Sequence, residues 1–214
     1  MNDCITLKSI LLLAANPKGT ANLRLQEEER EIRERLRLAG YGKVPINSTG
    51  ATRTRDIQQA MLDFKPQIVH FIGHGAGEDG LAFEDATGHL KLIDSEALAN
   101  LFKLFSGHVE CVVLSACHSK FEAEAIAKHI DYAIGMSQEI NDRAAIEFAV
   151  GFYTALGAGA SIELAHKLGC NAIQLEDIPE HLTPTLFVKE KNIPCERSPS
   201  NPTKWILVLS VTID

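Results

Sequence analysis

The sequence predicts an α/β domain in which a mostly parallel sheet is covered by helices on both faces. Short continuous apolar runs alternate along the chain with segments of helical periodicity, which is typical of strands joined by helical crossovers. The runs are apolar throughout instead of alternating with polar residues, and this indicates strands buried on both faces. The chain has 214 residues, 45% of them hydrophobic, which is enough for one domain with a substantial core.

The first half of the chain opens with a strand predicted over residues 9–15, where SILLLAA is followed by the turn residues Asn16 and Pro17. A charged helix follows over residues 25–39, because Leu25, Ile32 and Leu36 share one face and glycines come directly after it. We then expect a weak strand, a helix that stops before a proline, a buried strand and a hairpin, over residues 44–48, 54–64, 68–72 and 81–93.

The second half continues the same alternation of helices and buried strands. A helix over residues 94–104 takes Asp94 or Ser95 as its N-cap, and Asp142 is an N-cap candidate for a later helix. That later helix, residues 143–156, is apolar almost all round, which predicts deep burial. The remaining elements are strands at residues 111–114 and 132–136 and helices at residues 121–129 and 161–175.

The carboxyl-terminal part of the chain differs in composition from the rest. Residues 189–204 are rich in proline, serine, asparagine and charge, which predicts a linker after a domain of residues 1–188. The last segment, WILVLSVTID at residues 205–214, predicts a strand that either pairs with the sheet edge or begins a further module.

Composition excludes several function classes. The net charge is −7 and no basic tract is present, so we expect no nucleic-acid partner. No apolar run approaches the ~20 residues that cross a bilayer, and no signal peptide is evident, so we expect a cytoplasmic protein with no membrane partner. The five cysteines are widely spaced, which predicts free thiols in a reducing compartment, with neither a disulfide framework nor a metal or other cofactor.

A glycine loop after the strand at residues 68–72 formally matches the dinucleotide-binding pattern G-x-G-x-x-G, with its glycines at Gly75, Gly77 and Gly80. A pyrophosphate cradle requires a helix directly after the loop, and here the strand-like LAFED follows. Two carboxylates, Glu78 and Asp79, also occupy the loop. The sequence therefore favours a tight turn, with a nucleotide-binding domain as the weaker alternative.

His74 and Cys117 each follow a buried strand, so both are predicted at the carboxyl edge of the sheet, where open α/β sheets bind their ligands. An imidazole beside a thiol can take its proton and stabilise the thiolate. The amides of Gly75 and Cys117 are candidate oxyanion donors. Either side chain alone is more typical of a buried structural residue, and the pairing of the two is what favours catalysis.

These motifs carry a resemblance to a known family. HFIGHG and LSACHS resemble the His-Gly and Ser-Ala-Cys motifs of CHAT-domain proteins, which are caspase-like and related to separases. LLLAANP, a long block from IGMSQEINDRAAIEF onward and AHKLGCNAIQL extend the likeness over residues 9–188. The resemblance implies a caspase-like three-layer sandwich and a cysteine endopeptidase with His74 as base, Cys117 as nucleophile and Gly75 lending an amide. His118 and His70 are interpreted as structural.

The sequence departs from caspase-like families at two points, and the resemblance also implies a biological setting. Ser115 stands two positions before the cysteine, where metacaspases carry an acidic residue that binds a basic P1 side chain. Only residues 120–131, a predicted helix, stand where caspases have a long cleavable linker, so we expect no activation by cutting there. Family relatives often serve in prokaryotic defence or programmed death, with regulatory partners or additional domains. The alternative function is a non-catalytic signalling or scaffold module.

Three candidate residues bear on which peptide or protein substrate is cleaved. Arg24, on the loop after the first strand, would select an acidic P1 side chain. Asp79 and Asp142, on two other loops at the same edge, would select a basic one. The acidic balance of the chain favours a cationic substrate by long-range attraction, so we hypothesise a basic P1 bound by Asp142 or Asp79.

Overall fold

The computed structural model describes residues 6–41, 44–50 and 52–190. A six-stranded sheet, ordered β2-β1-β3-β6-β7-β8, forms the centre of the domain, and β4 and β5 form a separate hairpin. The strands are β1 (Ile10–Ala14), β2 (Ile46–Thr49), β3 (Ile68–Ile72), β4 (Leu81–Glu84), β5 (Leu90–Ile93), β6 (Cys111–Ser115), β7 (Tyr132–Met136) and β8 (Pro184–Val188). The helices are α1 (Leu25–Leu36), α2 (Thr54–Phe64), α3 (Ser95–Leu104), α4 (Lys120–Ala127), α5 (Asp142–Gly157) and α6 (Ile162–Leu175).

The inner strands run parallel and in a register that aligns their carboxyl ends. Ala14 pairs with Ile72, and Ile72 pairs with Ser115, so the loops after β1, β3 and β6 leave the sheet side by side. This confirms the predicted α/β architecture with a mostly parallel sheet. The exception is β8, an antiparallel edge strand on β7 that the apolar pattern did not single out.

Two apolar layers, one on each face of the sheet, hold the sandwich together. Successive strand residues alternate between the layers, so Leu11 and Leu13 pack against α2, α3 and α4, whereas Ile10 and Leu12 pack against α1, α5 and α6. This alternation is the period of two that every strand imposes on its side chains. It places His70, in the middle of β3, on the face that α1 and α5 cover.

Several element ends differ from the sequence prediction, each for a local reason. α1 ends at Leu36 and passes into a π-helical turn in which Gly40 has a φ of 83°, a conformation that glycine tolerates. α5 begins at Asp142, because Asn141 is the N-cap whose Oδ1 accepts a hydrogen bond from Ala144 N at 2.9 Å. Asp142 is therefore the first helical residue and not the cap.

The predicted terminal strand over residues 205–214 and nearly all of the predicted linker lie outside the described residues. Within the described ranges, no helix is both long and apolar enough to span a membrane.

Candidate active site

Cys117 lies in a sharp turn between β6 and α4. Buried Ser119 fixes this turn, since its Oγ donates to Leu114 O at 3.0 Å and accepts from Met136 N at 2.9 Å. His118 occupies the left-handed region with a φ of 55°, and its amide donates to Gln138 O. A non-glycine residue in that region marks backbone held by its surroundings. This left-handed backbone at His118 belongs to the turn that places Cys117 at the end of β6. His118 therefore contributes to the shape of that turn.

The thiol of Cys117 is half-buried and contacts the backbone of Ile140, in the segment that leads into α5. Sγ lies 3.6 Å from Ile140 O, to which it can donate, and 3.5 Å from Ile140 N, from which it accepts. No hydrogen bond joins Cys117 and His74 within the part of the chain that the structure describes. The resting thiol thus contacts the backbone of Ile140, next to the loop that carries His74.

His74 follows β3 and is held through one ring nitrogen. Nε2 lies 2.9 Å from Ala21 O and 3.1 Å from Asn16 Oδ1, and both acceptors come from the loop after β1. A carbonyl can only accept, so Nε2 carries the hydrogen and Nδ1 of the neutral ring keeps its lone pair. Nδ1 makes no hydrogen bond to any described residue. This is the tautomer that a general base acting through Nδ1 requires.

His74 and Cys117 line the same small, open cavity. The walls come from the loop after β1, the start of α1, the ends of β3 and β6 and the start of α5. Most of the lining is apolar, with contributions from Leu23, Leu25, Ile72, Ile140, Ala145 and Ile146. The sheet edge thus joins the two predicted dyad residues in one concave, largely apolar site, as is usual for ligand pockets.

Gly75 packs directly against the backbone of Cys117. An added Cβ at position 75 would lie 1.9 Å from Cys117 O and 3.5 Å from Cys117 N, so no larger residue fits there. Neither the Gly75 amide nor the Cys117 amide donates a hydrogen bond to any residue described. Both amides are therefore available to donate to a bound substrate, as the donors of an oxyanion hole must be.

A buried polar network lies under the cavity. Glu28 on α1 is 4% exposed and lines the cavity together with Ser115, whose Oγ donates to Glu28 Oε2 at 3.3 Å. His70 is fully buried, with Nε2 3.0 Å from Glu28 Oε1 and Nδ1 3.0 Å from the hydroxyl of Tyr153. Although close, Nε2 and Oε1 are poorly aligned for a hydrogen bond, so each lacks a well-formed partner.

The three residues predicted to bind substrate occupy different places. Arg24 lines the cavity, but its guanidinium is exposed and lies 3.4 Å from Glu27. Asp142 also lines the cavity and accepts from the Arg24 amide at 3.2 Å, which ties α5 to the loop before α1. Asp79 is exposed in a short 3₁₀ turn, Gly77–Asp79, and does not line the cavity. That turn leads into β4, so a helix does not follow the glycines.

The other described thiols are less suited to nucleophilic chemistry. Burial raises the pKa of Cys111 far above the usual range of a thiol, and it raises the pKa of Cys170 to about 11. Cys170 lies 3.7 Å from His166 Nε2 on α6, but burial lowers the pKa of that histidine. No group of three or more metal-ligating side chains clusters anywhere in the described ranges.

Two polar residues of the site were missed at the level of sequence. Asn16 was interpreted only as a turn residue, although a polar residue directly after a buried strand is itself a signal for the sheet edge. Glu28 was counted with the charged face of α1. Its spacing from Leu25, Ile32 and Leu36 in fact places it on the apolar face, and a carboxylate at a core-facing position is unusual.

A family model for the CHAT domain matches residues 4–168. The chain belongs to the CHAT domain family. The match includes both strand ends that carry His74 and Cys117.

Relatives of this CHAT domain are named as proteases. A Roc-COR-CHAT protease from an unknown prokaryotic organism is 28% identical over 182 residues, covering 80% of this chain and 17% of that protein. A probable protease from Gillisia limnaea is 26% identical over 181 residues, covering 81% of this chain and 32% of that protein. The chain thus spans less than a third of the length of these curated relatives.

Solved structures resemble the CHAT domain in fold. The Arg specific cysteine proteinase gingipain R superposes with a TM-score of 0.63 at 16% identity, covering 86% of this chain and 46% of that one. A complex of pro- and mature domains of a Porphyromonas gingivalis gingipain gives a TM-score of 0.58 at 15% identity, covering 86% and 47%. The caspase-like fold predicted from the motifs is thereby confirmed.

Proposed function

We propose that this chain is a cysteine endopeptidase in which Cys117 is the nucleophile and His74 the general base. The proposal is supported by the family, by relatives named as proteases and by the site. The observation that carries it is the meeting of His74 and Cys117 in one cavity beside two unpaired backbone amides. His166 and Cys170, a second histidine–cysteine contact among the described residues, lie on α6 outside this cavity, and burial raises the pKa of the Cys170 thiol to about 11.

The chemistry follows from the hydrogen-bond roles of the site. His74 Nδ1 takes the thiol proton as Sγ turns from Ile140 and attacks the substrate carbonyl carbon. The carbonyl oxygen becomes an oxyanion and accepts from the Gly75 and Cys117 amides. The carbon–nitrogen bond then breaks, and His74 returns the proton to the leaving amine. A water attacks the thioester, gives its proton to His74 and releases the acid, while the sulfur recovers a proton.

A peptide-cleavage assay of three variants tests the proposal. Cys117→Ala and His74→Ala are each expected to lower kcat/KM by about a thousand-fold or more, because the pair acts as a unit. Cys170→Ala is the matched control and is expected to retain wild-type cleavage, since it removes a thiol outside the cavity. Cleavage by Cys117→Ala at the wild-type rate would contradict the proposal and would leave the non-catalytic scaffold reading in its place.

The biological setting of this peptidase is proposed from the family resemblance alone. We place it in a prokaryotic defence or programmed-death system, controlled by a partner or by additional domains. Expression in bacteria with and without a candidate substrate protein tests this placement. A loss of viability that requires both Cys117 and the substrate is expected, and unaffected growth despite cleavage of that substrate would contradict it.

A further inference from the structure

We propose that Glu28 is the specificity-determining residue of the peptidase and that it selects arginine or lysine at P1. This inference rests on the proposed cysteine-peptidase function and names its substrate class. Glu28 is not among the residues that sequence reasoning connected with substrate. It lines the cavity of His74 and Cys117, yet only 4% of it is exposed.

The carboxylate of Glu28 is incompletely hydrogen-bonded among the described residues. Ser115 Oγ donates to Glu28 Oε2 at 3.3 Å. Glu28 Oε1 lies 3.0 Å from His70 Nε2 but without the alignment of a hydrogen bond, so this buried oxygen has no well-formed partner.

A buried carboxylate oxygen without a well-formed hydrogen bond is costly, and a cationic donor entering the cavity would offset that cost. The other charged residues that line the cavity do not supply such a donor. The Arg24 guanidinium is exposed and lies against Glu27, and Asp142 adds a second negative charge near the mouth. The apolar walls suit the aliphatic stem of a long basic side chain, whose head would reach the carboxylate.

The contact with Ser115 holds the Glu28 carboxylate beside the end of β6. Ser115 stands two positions before Cys117, and its hydroxyl donates to Glu28 Oε2 at 3.3 Å. The carboxylate of α1 is thus fixed next to the strand end that leads to the proposed nucleophile. Asp79 lies outside the cavity, and Asp142 is engaged by the Arg24 amide, so Glu28 is the carboxylate best placed for selection.

Peptides that differ only at P1 test the inference. Arginine and citrulline are nearly the same shape and differ in charge, so their ratio of kcat/KM isolates the ionic contact. Wild type is expected to prefer arginine by about 100-fold or more, and Glu28→Gln to reduce the ratio to within a few fold. The control Glu29→Gln changes a half-buried carboxylate at the next position of α1, which pairs with Arg33 outside the cavity, and it is expected to keep the wild-type ratio. A purely structural role for Glu28 would lower both rates together and leave the ratio unchanged.

Binding measured without turnover separates this inference from the proposed function. In the Cys117→Ala background, a peptide ending in arginine is expected to bind at least about tenfold more tightly than its citrulline counterpart. Adding Glu28→Gln should abolish that difference, and thermal melting verifies that both variants are folded. Equal binding of the two peptides, or a preference for aspartate or leucine at P1, would overturn the inference while leaving the Cys117 chemistry standing. If the wild type does not cleave, while the arginine peptide still binds more tightly than the citrulline peptide, the proposed cysteine-peptidase function is contradicted and the selective role of Glu28 stands.

Discussion

Asn16 holds His74 in place without taking part in proton transfer. Its Oδ1 accepts from His74 Nε2, while its Nδ2 lies 3.4 Å from Asn22 Oδ1, and this second contact fixes which end of the amide faces the ring. Ala21 O shares the same nitrogen at 2.9 Å. Loss of Asn16 would therefore loosen the imidazole but not free it.

We expect Asn16→Ala to lower kcat by about 10- to 100-fold, with little change in KM, because outer partners of a reacting histidine orient it without binding substrate. Asn16→Asp keeps an acceptor at the same position and should restore most of the rate. Steady-state kinetics of both variants tests this, with Asn171→Ala on the exposed side of α6 as control. Equal loss of activity in the Ala and Asp variants would contradict a positioning role.

Gly75 is expected to tolerate no side chain. A Cβ at this position would overlap Cys117 O at 1.9 Å, and the displaced backbone would separate the two candidate oxyanion donors. Gly75→Ala should thus abolish cleavage and lower the melting temperature. Gly107→Ala is the matched control, because nothing lies within 4 Å of its added Cβ. Full activity of Gly75→Ala would remove its amide from the mechanism.

At the scale of elements, α4 follows the nucleophile turn at once and carries a buried charge in its first turn. Both carboxylate oxygens of Glu122 lack a partner among the described residues, and burial raises the pKa of Glu122 above its usual range. A raised carboxyl pKa means that the folded state favours the neutral form. This contribution is present at low pH and is lost as pH rises through the raised pKa.

We therefore expect Glu122→Met to melt a few degrees above wild type near neutral pH, since an apolar residue of similar size removes the buried charge. The gap in melting temperature should narrow as pH falls through the raised pKa, and it should be smallest below the usual pKa of glutamate, at about pH 4. Melting curves across this range test it, with exposed Glu124→Met as control. A gap that is constant with pH would show that Glu122 does not titrate in the predicted sense.

α4 also bears on activation. The segment between β6 and β7 is short and largely helical, and it buries Ala123 and Ile126 completely. A protease would have to unfold core structure to cut it. We expect the active peptidase to be uncut between residues 120 and 131, as intact-mass measurement of the active protein would show. An active form cleaved in this segment would contradict the expectation.

At the scale of the whole molecule, the sequence predicted the buried strands better than the edge strand and the order of the strands in the sheet. The continuous apolar strands β1, β3 and β6 were evident, because strands buried on both faces leave a strong pattern. β8 was missed, since PTLFV is short, begins with proline and is only partly buried as an edge strand. Strand order and pairing depend on contacts between distant segments, which periodicity does not encode.

The same distinction applies to the site. His74, Gly75 and Cys117 were predictable because each lies at or just beyond the end of a strand whose direction the pattern fixes. Asn16 reaches the site from the loop after β1, and Glu28 reaches it from α1, a helix packed on one face of the sheet. The role of both residues therefore depends on packing between distant segments. Asp79 shares the histidine loop, yet the 3₁₀ turn leaves it outside the cavity.

The central claim is that Cys117 is the reactive nucleophile of the cavity. The most direct test is covalent labelling with a thiol-reactive peptide probe, followed by mapping of the modified residue by mass spectrometry. We predict one adduct per chain on Cys117, absent in Cys117→Ala, strongly slowed in His74→Ala and unchanged in Cys170→Ala. Labelling that survives Cys117→Ala, or that maps to Cys170 in the wild type, would contradict the account.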